Sequence, residues 1–160
     1  MTDPTSRPPI PAPQLEHVAR VHVDLGPIES VGPRPDGERR FVAIVGGTIR
    51  GERLQATIDD GGADWQTLHP DGSITIDTRY SATTHDGAKI LIATRGLRRG
   101  DPAVMRRRAA GEDVDPREYY FRVAARFEAT GAYAWLTEQL FVASAMRSAA
   151  AVEYDLYAVT

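Results

Sequence analysis

The sequence predicts an all-β protein: a single antiparallel β-barrel with one or two short helices. Three observations carry this prediction. Apolar and polar residues alternate with a period of two along most of the chain, the pattern of strands buried on one face. The alternating segments are short and recur about every 8–12 residues between turn signals, as in sandwiches and barrels. No alternation of strand and helix is present, which removes doubly wound and TIM architectures. Glycine-marked bends and the number of strands favour a closed barrel over two packed sheets.

The elements follow in order. Leu15, His17, Ala19, Val21, Val23 and Leu25 alternate with Glu16, Arg20 and Asp24, predicting a first strand. Gly26, Pro27, Gly32, Pro33, Pro35 and Gly37 then read as a loop. RRFVAIVGG (39–47) is a more continuously apolar strand, and its glycine pair suits a bulge or bend. Extended chain continues from Thr48 to Ile58, turning at Gly51-Glu52. The glycine pair 61–62 precedes ADWQTLH, and PDG (70–72) precedes SITIDTRYSAT. Pro-Asp-Gly turns tightly because proline presets its φ and glycine supplies a positive one. After His85-Asp86-Gly87, Ile90, Ile92 and Thr94 share one strand face, with Leu91, Ala93, Arg95 and Leu97 on the other.

One stretch reads as helix. DPAVMRRRAAGE (101–112) has an Asp N-cap, a proline at the first helical position and a closing glycine. Strands resume at Tyr119–Glu128, a short helical turn fits Gly131–Trp135, and the last strands are LFVASAM (140–146) and VEYDLYAV (152–159). Residues 1–13, with Pro4, Pro8, Pro9, Pro11 and Pro13, predict a flexible arm; 14–160 is a single barrel domain.

Composition bounds the function classes. The chain has 160 residues and 0 cysteines, which removes disulfides, thiolate metal sites and cysteine nucleophiles. Net charge is −3 from 19 basic and 22 acidic residues, without the Lys/Arg surplus that a nucleic-acid binder uses on phosphates. The basic run Arg106–Arg108 reads as a solvated helix face. No apolar run approaches the roughly 20 residues of a membrane helix, and the start lacks the apolar core of a signal peptide. Cytoplasmic residence is the expectation. His17, His22, His69 and His85 show no metal-ligand spacing, no phosphate-binding glycine loop appears, and no cofactor is expected.

Several short motifs occur in a fixed order: GGT (46–48), GGADWQ (61–66), HPDG (69–72), DTRY (77–80), TRG (94–96), YYFR (119–122), FE (127–128) and YAWL (133–136). Together they resemble the bacterial and fungal family described as domain of unknown function 3237, also called uncharacterised protein family 0311. The resemblance runs from about residue 14 to the end and implies a calycin-like β-barrel. Most members have no assigned activity, although some natural-product pathway relatives are thought to promote ring closure of phenolic substrates.

The candidate site residues divide into polar and aromatic sets. GGADWQ delivers the carboxylate of Asp64 beside the ring of Trp65 at a tight turn. Asp64 would serve as a general base, with Arg95 or Tyr80 steadying negative charge. The plainer alternative has Asp64 bonding turn amides and Trp65 plugging the barrel. Neighbouring strand residues face opposite ways, so Asp64 and Trp65 share the interior only across a bulge. Gly96 beside Arg95 suggests irregular backbone that re-aims the guanidinium. Trp65, Phe121, Phe127, Trp135 and Phe141 either line a pocket for an aromatic or polyketide-like ligand or fill the core.

The expected function is a cofactor-free small-molecule barrel binding a hydrophobic or aromatic partner, with acid/base chemistry of the isomerase, cyclase or lyase kind. A non-catalytic carrier or sensor has the same pocket. An exposed strand edge would instead make an assembly module, a homo-oligomer.

Overall fold

The computed structural model describes residues 8–160. Nine strands form one antiparallel sheet that closes on itself: β1 (Leu15–Arg34), β2 (Gly37–Arg50), β3 (Gln55–Ile58), β4 (Gly62–Leu68), β5 (Ile74–Thr84), β6 (Lys89–Gly100), β7 (Tyr119–Glu128), β8 (Leu140–Arg147) and β9 (Ala151–Val159). Closure comes from β1, which pairs with β2 on one side and β9 on the other. The short strands β3 and β4 together make one stave. Each pairs with both β2 and β5, one above the other, and Asp59-Asp60-Gly61 joins them. The all-β barrel predicted from alternation is the observed fold.

The interior face is set by parity. Along β5, Ile74, Ile76, Thr78, Tyr80, Ala82 and Thr84 are all buried; on β7 Tyr119, Phe121, Val123, Ala125 and Phe127 are. Ile44, Ile49, Leu54, Ile90, Leu136 and Leu156 are essentially inaccessible to solvent. Each contributes roughly 1.5–3 kcal/mol by leaving water.

The stretch read as a loop at 26–37 is strand apart from the turn at Pro35-Asp36. β1 continues to Arg34 and β2 begins at Gly37, so the two form a long hairpin. Pairing of β1 with β9 stops at Asp24, and beyond it β1 has β2 alone as partner. That makes the far half an edge strand, where proline's missing N–H costs no ladder bond. Pro27 falls in a register shift between Leu25 and Ile28. The predicted arm at 1–13 lies partly outside the described residues; 8–14 have no regular structure and are exposed.

The two ends of the barrel differ. At one end the 3₁₀ segment Gly131–Thr137 lies across the opening and buries Tyr133 and Leu136. Tyr133 Oη donates to Asp86 Oδ1 at 3.1 Å, and the Arg53 guanidinium sits 4.1 Å from the Trp135 ring centre. At the other end stands the helix α1 (Pro102–Ala109), capped as predicted: Asp101 Oδ1 accepts the Ala103 N–H at 2.8 Å. Among the described residues no helix is long and apolar enough to cross a membrane.

Candidate functional site

Between α1 and the open end of the barrel lies a cavity of about 810 Å³. Its walls come from the β1–β2 hairpin, the β4–β5 turn, α1 and the β8–β9 turn. Ile28, Leu68, Ile74 and Met105 give it apolar surface. Its polar surface is dominated by guanidiniums: Arg40 of β2, Arg98 of β6, Arg108 of α1 and Arg147 of β8.

Parity brings these arginines inward. Arg98 follows Ile90, Ile92 and Thr94 on the buried face of β6, and Arg147 follows Phe141, Ala143 and Ala145 on that of β8. Arg98 is only 7 % exposed. Its guanidinium lies 5.4 Å from the Phe121 ring centre, and that of Arg108 lies 5.4 Å from Tyr119. Tyr119 Oη accepts the Arg147 backbone N–H at 3.2 Å, and Arg108 donates to the Arg147 carbonyl. Aromatic faces and backbone thus hold the charges in place while leaving donors free. Arg98 Nε, Arg108 Nε and Arg147 Nη1 are buried without a hydrogen-bond partner. Burial, then the positive charges of Arg108, Arg147 and Arg40, bring the Arg98 pKa down to about 9. Arg107 keeps to the outer side of α1, pairing with Glu112 and Glu118, and Arg106 is exposed at the cavity rim, but Arg108 departs from the solvated face expected of this run.

Asp64 lies beneath this floor, 6 % exposed and inside the barrel. Arg40 Nε donates to Gln66 Oε1 at 2.9 Å, and Gln66 Nε2 donates to Asp64 Oδ2 at 2.5 Å. The chain therefore runs from the cavity wall to the carboxylate. Asp64 Oδ1 also accepts the Asp77 N–H at 3.3 Å, where the β4–β5 ladder skips from Asp64–Thr78 to Thr67–Thr75. Burial raises the Asp64 pKa against the opposing pull of Gln66, the Asp77 N–H, Arg98 and Arg147.

The other sequence candidates fall elsewhere. Trp65 is on the outer wall, 45 % exposed, its ring 5.5 Å from Phe41. With no bulge within the segment that pairs β4 to β2, alternation puts it opposite Asp64. Arg95 is also outside, its side chain 73 % exposed and 3.7 Å from Asp77. Gly96 does not re-aim it, because β6 pairs without interruption to β5 and β7. Gly96 is instead needed for close approach: a Cβ there would stand 2.3 Å from the Arg122 carbonyl oxygen. Tyr80 is buried and its hydroxyl lies 2.6 Å from that of Tyr154; burial and Tyr154 keep it well above the ordinary phenol range. Phe127 and Phe141 pack edge to face at 5.1 Å, with Trp135 at 6.2 Å from Phe141, towards the plugged end. None of Phe121, Phe127, Trp135 and Phe141 lines the mouth cavity, although Phe121 supports Arg98. Among the described residues no group of three or more His, Asp or Glu converges to hold a metal ion.

Fold and cavity together define a class: an antiparallel β-barrel plugged at one end, with an arginine-floored cavity at the other. The chain belongs to the family described as "Protein of unknown function (DUF3237)", whose model matches residues 13–159. It is 36 % identical over 151 residues to a UPF0311 protein of Rhodopseudomonas palustris, covering 93 % of this chain and 98 % of that protein. The crystal structure of a conserved protein of unknown function from the same species superposes with a TM-score of 0.89 at 34 % identity, covering 94 % of this chain and 100 % of that one. A β-barrel like protein from Acinetobacter baumannii gives 0.84 at 41 % identity, covering 96 % and 100 %. A structure described as an enzyme from Penicillium herquei shares the fold at a TM-score of 0.69 and 23 % identity, covering 97 % and 98 %.

Proposed function

We propose that the mouth cavity binds a small molecule with an apolar body and an acidic oxygen, and that Asp64 exchanges a proton with it. The reading rests on one juxtaposition: a buried carboxyl with a raised pKa beneath an open cavity floored by guanidiniums. A carboxyl desolvated in this way is a stronger base than one in water. It removes a proton from a carbon or hydroxyl next to a conjugated carbonyl. The charge then moves onto an enolate or phenolate oxygen, which Arg98 and Arg147 stabilise. Gln66 and Arg40 hold the carboxylate in place, and a ligand that displaces the Gln66 amide reaches it. Arg98 thus takes the part that sequence reasoning gave to Arg95. Proton transfer of this kind underlies isomerisation, cyclisation and elimination, and needs no nucleophilic intermediate. The fold is compatible with catalysis, since the Penicillium herquei neighbour is described as an enzyme.

The test is proton exchange. Conjugated ketones and phenolic acids are incubated with the protein in deuterated water and followed by NMR. Wild type should accelerate deuterium incorporation into at least one of them, and Asp64→Asn should lower that rate by about 10²–10⁴-fold. Saturable binding without exchange would favour the carrier reading instead.

A further inference from the structure

The cavity carries more positive charge than one acidic oxygen neutralises. Four guanidiniums from four elements surround it: Arg40, Arg98, Arg108 and Arg147. They are close enough that Arg98 feels the charge of the other three. One buried carboxylate, Asp64, opposes them from beneath. The acidic groups at the rim are otherwise engaged or exposed: Glu112 pairs with Arg107, Asp71 accepts from the Ser73 N–H and hydroxyl, and Asp113 is exposed. Arg106, exposed at the rim, offsets the exposed Asp113 there, so the surplus rests on the four guanidiniums further in.

Hydrogen-bonding capacity points the same way. The unpartnered donors Arg98 Nε, Arg108 Nε and Arg147 Nη1 come from β6, α1 and β8. A single carboxylate meets one guanidinium in a two-pronged pair, and its two oxygens do not satisfy three guanidiniums approaching from three sides. Leaving such groups buried and unpaired is costly, and an anion offsets that cost by meeting the same guanidiniums where they line the cavity. The apolar surface of Ile28, Leu68, Ile74 and Met105 accommodates a hydrophobic body.

We propose that the ligand is a small dianion, an aromatic or conjugated body bearing two negative charges that bridge Arg98, Arg108 and Arg147. This deepens the reading of the mouth cavity as a small-molecule site, and it does not depend on proton transfer to Asp64. The two charges sit either on separate carboxylate or phenolate groups or together on a phosphate monoester.

Calorimetric titration of the whole protein with four probes tests the proposal: isophthalate, phenyl phosphate, benzoate and the neutral isophthalamide. At least one dianion should bind saturably and tenfold or more tighter than benzoate, while isophthalamide should not bind. Preference for isophthalate assigns two separated charges, and preference for phenyl phosphate assigns a phosphate head. Arg98→Met should weaken the preferred dianion by tenfold or more. Arg108→Met, on a half-buried helix position, serves the same purpose should the first variant fail to fold. Benzoate or isophthalamide binding as tightly as both dianions would overturn the proposal, as would no saturation by either dianion. Asp64→Asn separates the two readings: dianion affinity should be retained or increased. Loss of exchange in that variant with binding intact tests the proton-transfer step alone.

Discussion

Asp64 and Arg98 are ionisable side chains buried with little to neutralise them, and their costs predict how the protein responds to substitution. The folded-state pKa of Asp64 is raised above its unfolded value near 3.8, so between those two values the folded protein holds the extra proton. Stability contributed by that proton is present at low pH and is lost as pH rises through the raised value. Asp64→Asn should therefore remove a decrease in stability with rising pH above about pH 4, measured by thermal melts across pH. Its melting temperature at neutral pH should lie above wild type, while at low pH, with Asp64 protonated, the two should converge. Arg98 predicts the opposite balance between stability and binding. Arg98→Met keeps the bulk over Phe121 and removes a desolvated, unpaired charge. It should raise the melting temperature of the ligand-free protein by several degrees, at about 2–4 °C per kcal/mol for a chain of this size. A fall of similar size would mean that Arg98 is held by compensating contacts. Asp64 was legible in the sequence because a glycine pair introduces it. Arg98 was not, because both faces of β6 are rich in apolar residues: Leu91, Ala93 and Leu97 oppose Ile90 and Ile92. With either parity plausible as the interior, Arg95 and Arg98 could not be told apart before the sheet was seen.

At the scale of elements, the long hairpin and α1 each make a prediction. The first half of β1 is bonded on both sides as far as Leu25, whose N–H donates to the Ala150 carbonyl, whereas the half beyond it pairs only with β2. Amides in residues 26–34 should exchange with deuterium well ahead of those in 19–24, followed by NMR or by mass spectrometry of peptides. Equal protection would mean that the hairpin opens only with the barrel. The hairpin escaped sequence reasoning because glycine and proline usually break strands, and an edge position tolerates them. Helix α1 was legible from its cap, its proline and its terminal glycine, and the cap can be removed. Asp101→Ala should cost about 0.5–2 kcal/mol in helix stability. Since α1 carries Arg108 into the cavity, that variant should weaken isophthalate or phenyl phosphate binding, read by calorimetry. The barrel's melting temperature should move by no more than the cap's own cost.

For the whole molecule, alternation and turn spacing carried the fold, since they record which residues leave water. Closure was less visible, because it depends on β1 meeting β9 across more than a hundred intervening residues. Nor did the sequence distinguish the stoppered end from the open one: aromatic residues that looked suited to a ligand, Phe127, Trp135 and Phe141, pack on one another towards the stopper, with Phe127 also lining a separate cavity of about 760 Å³ beside Tyr80 and Arg95. That asymmetry makes the barrel a blind well. With the 3₁₀ segment Gly131–Thr137 packed on the far end, a ligand of the mouth cavity enters and leaves beside α1. Such a ligand then leaves by the way it entered. Isophthalate and phenyl phosphate should consequently compete for the cavity, each displaced by raising the other. Added viscogen should lengthen entry and exit times together, leaving affinity where it was.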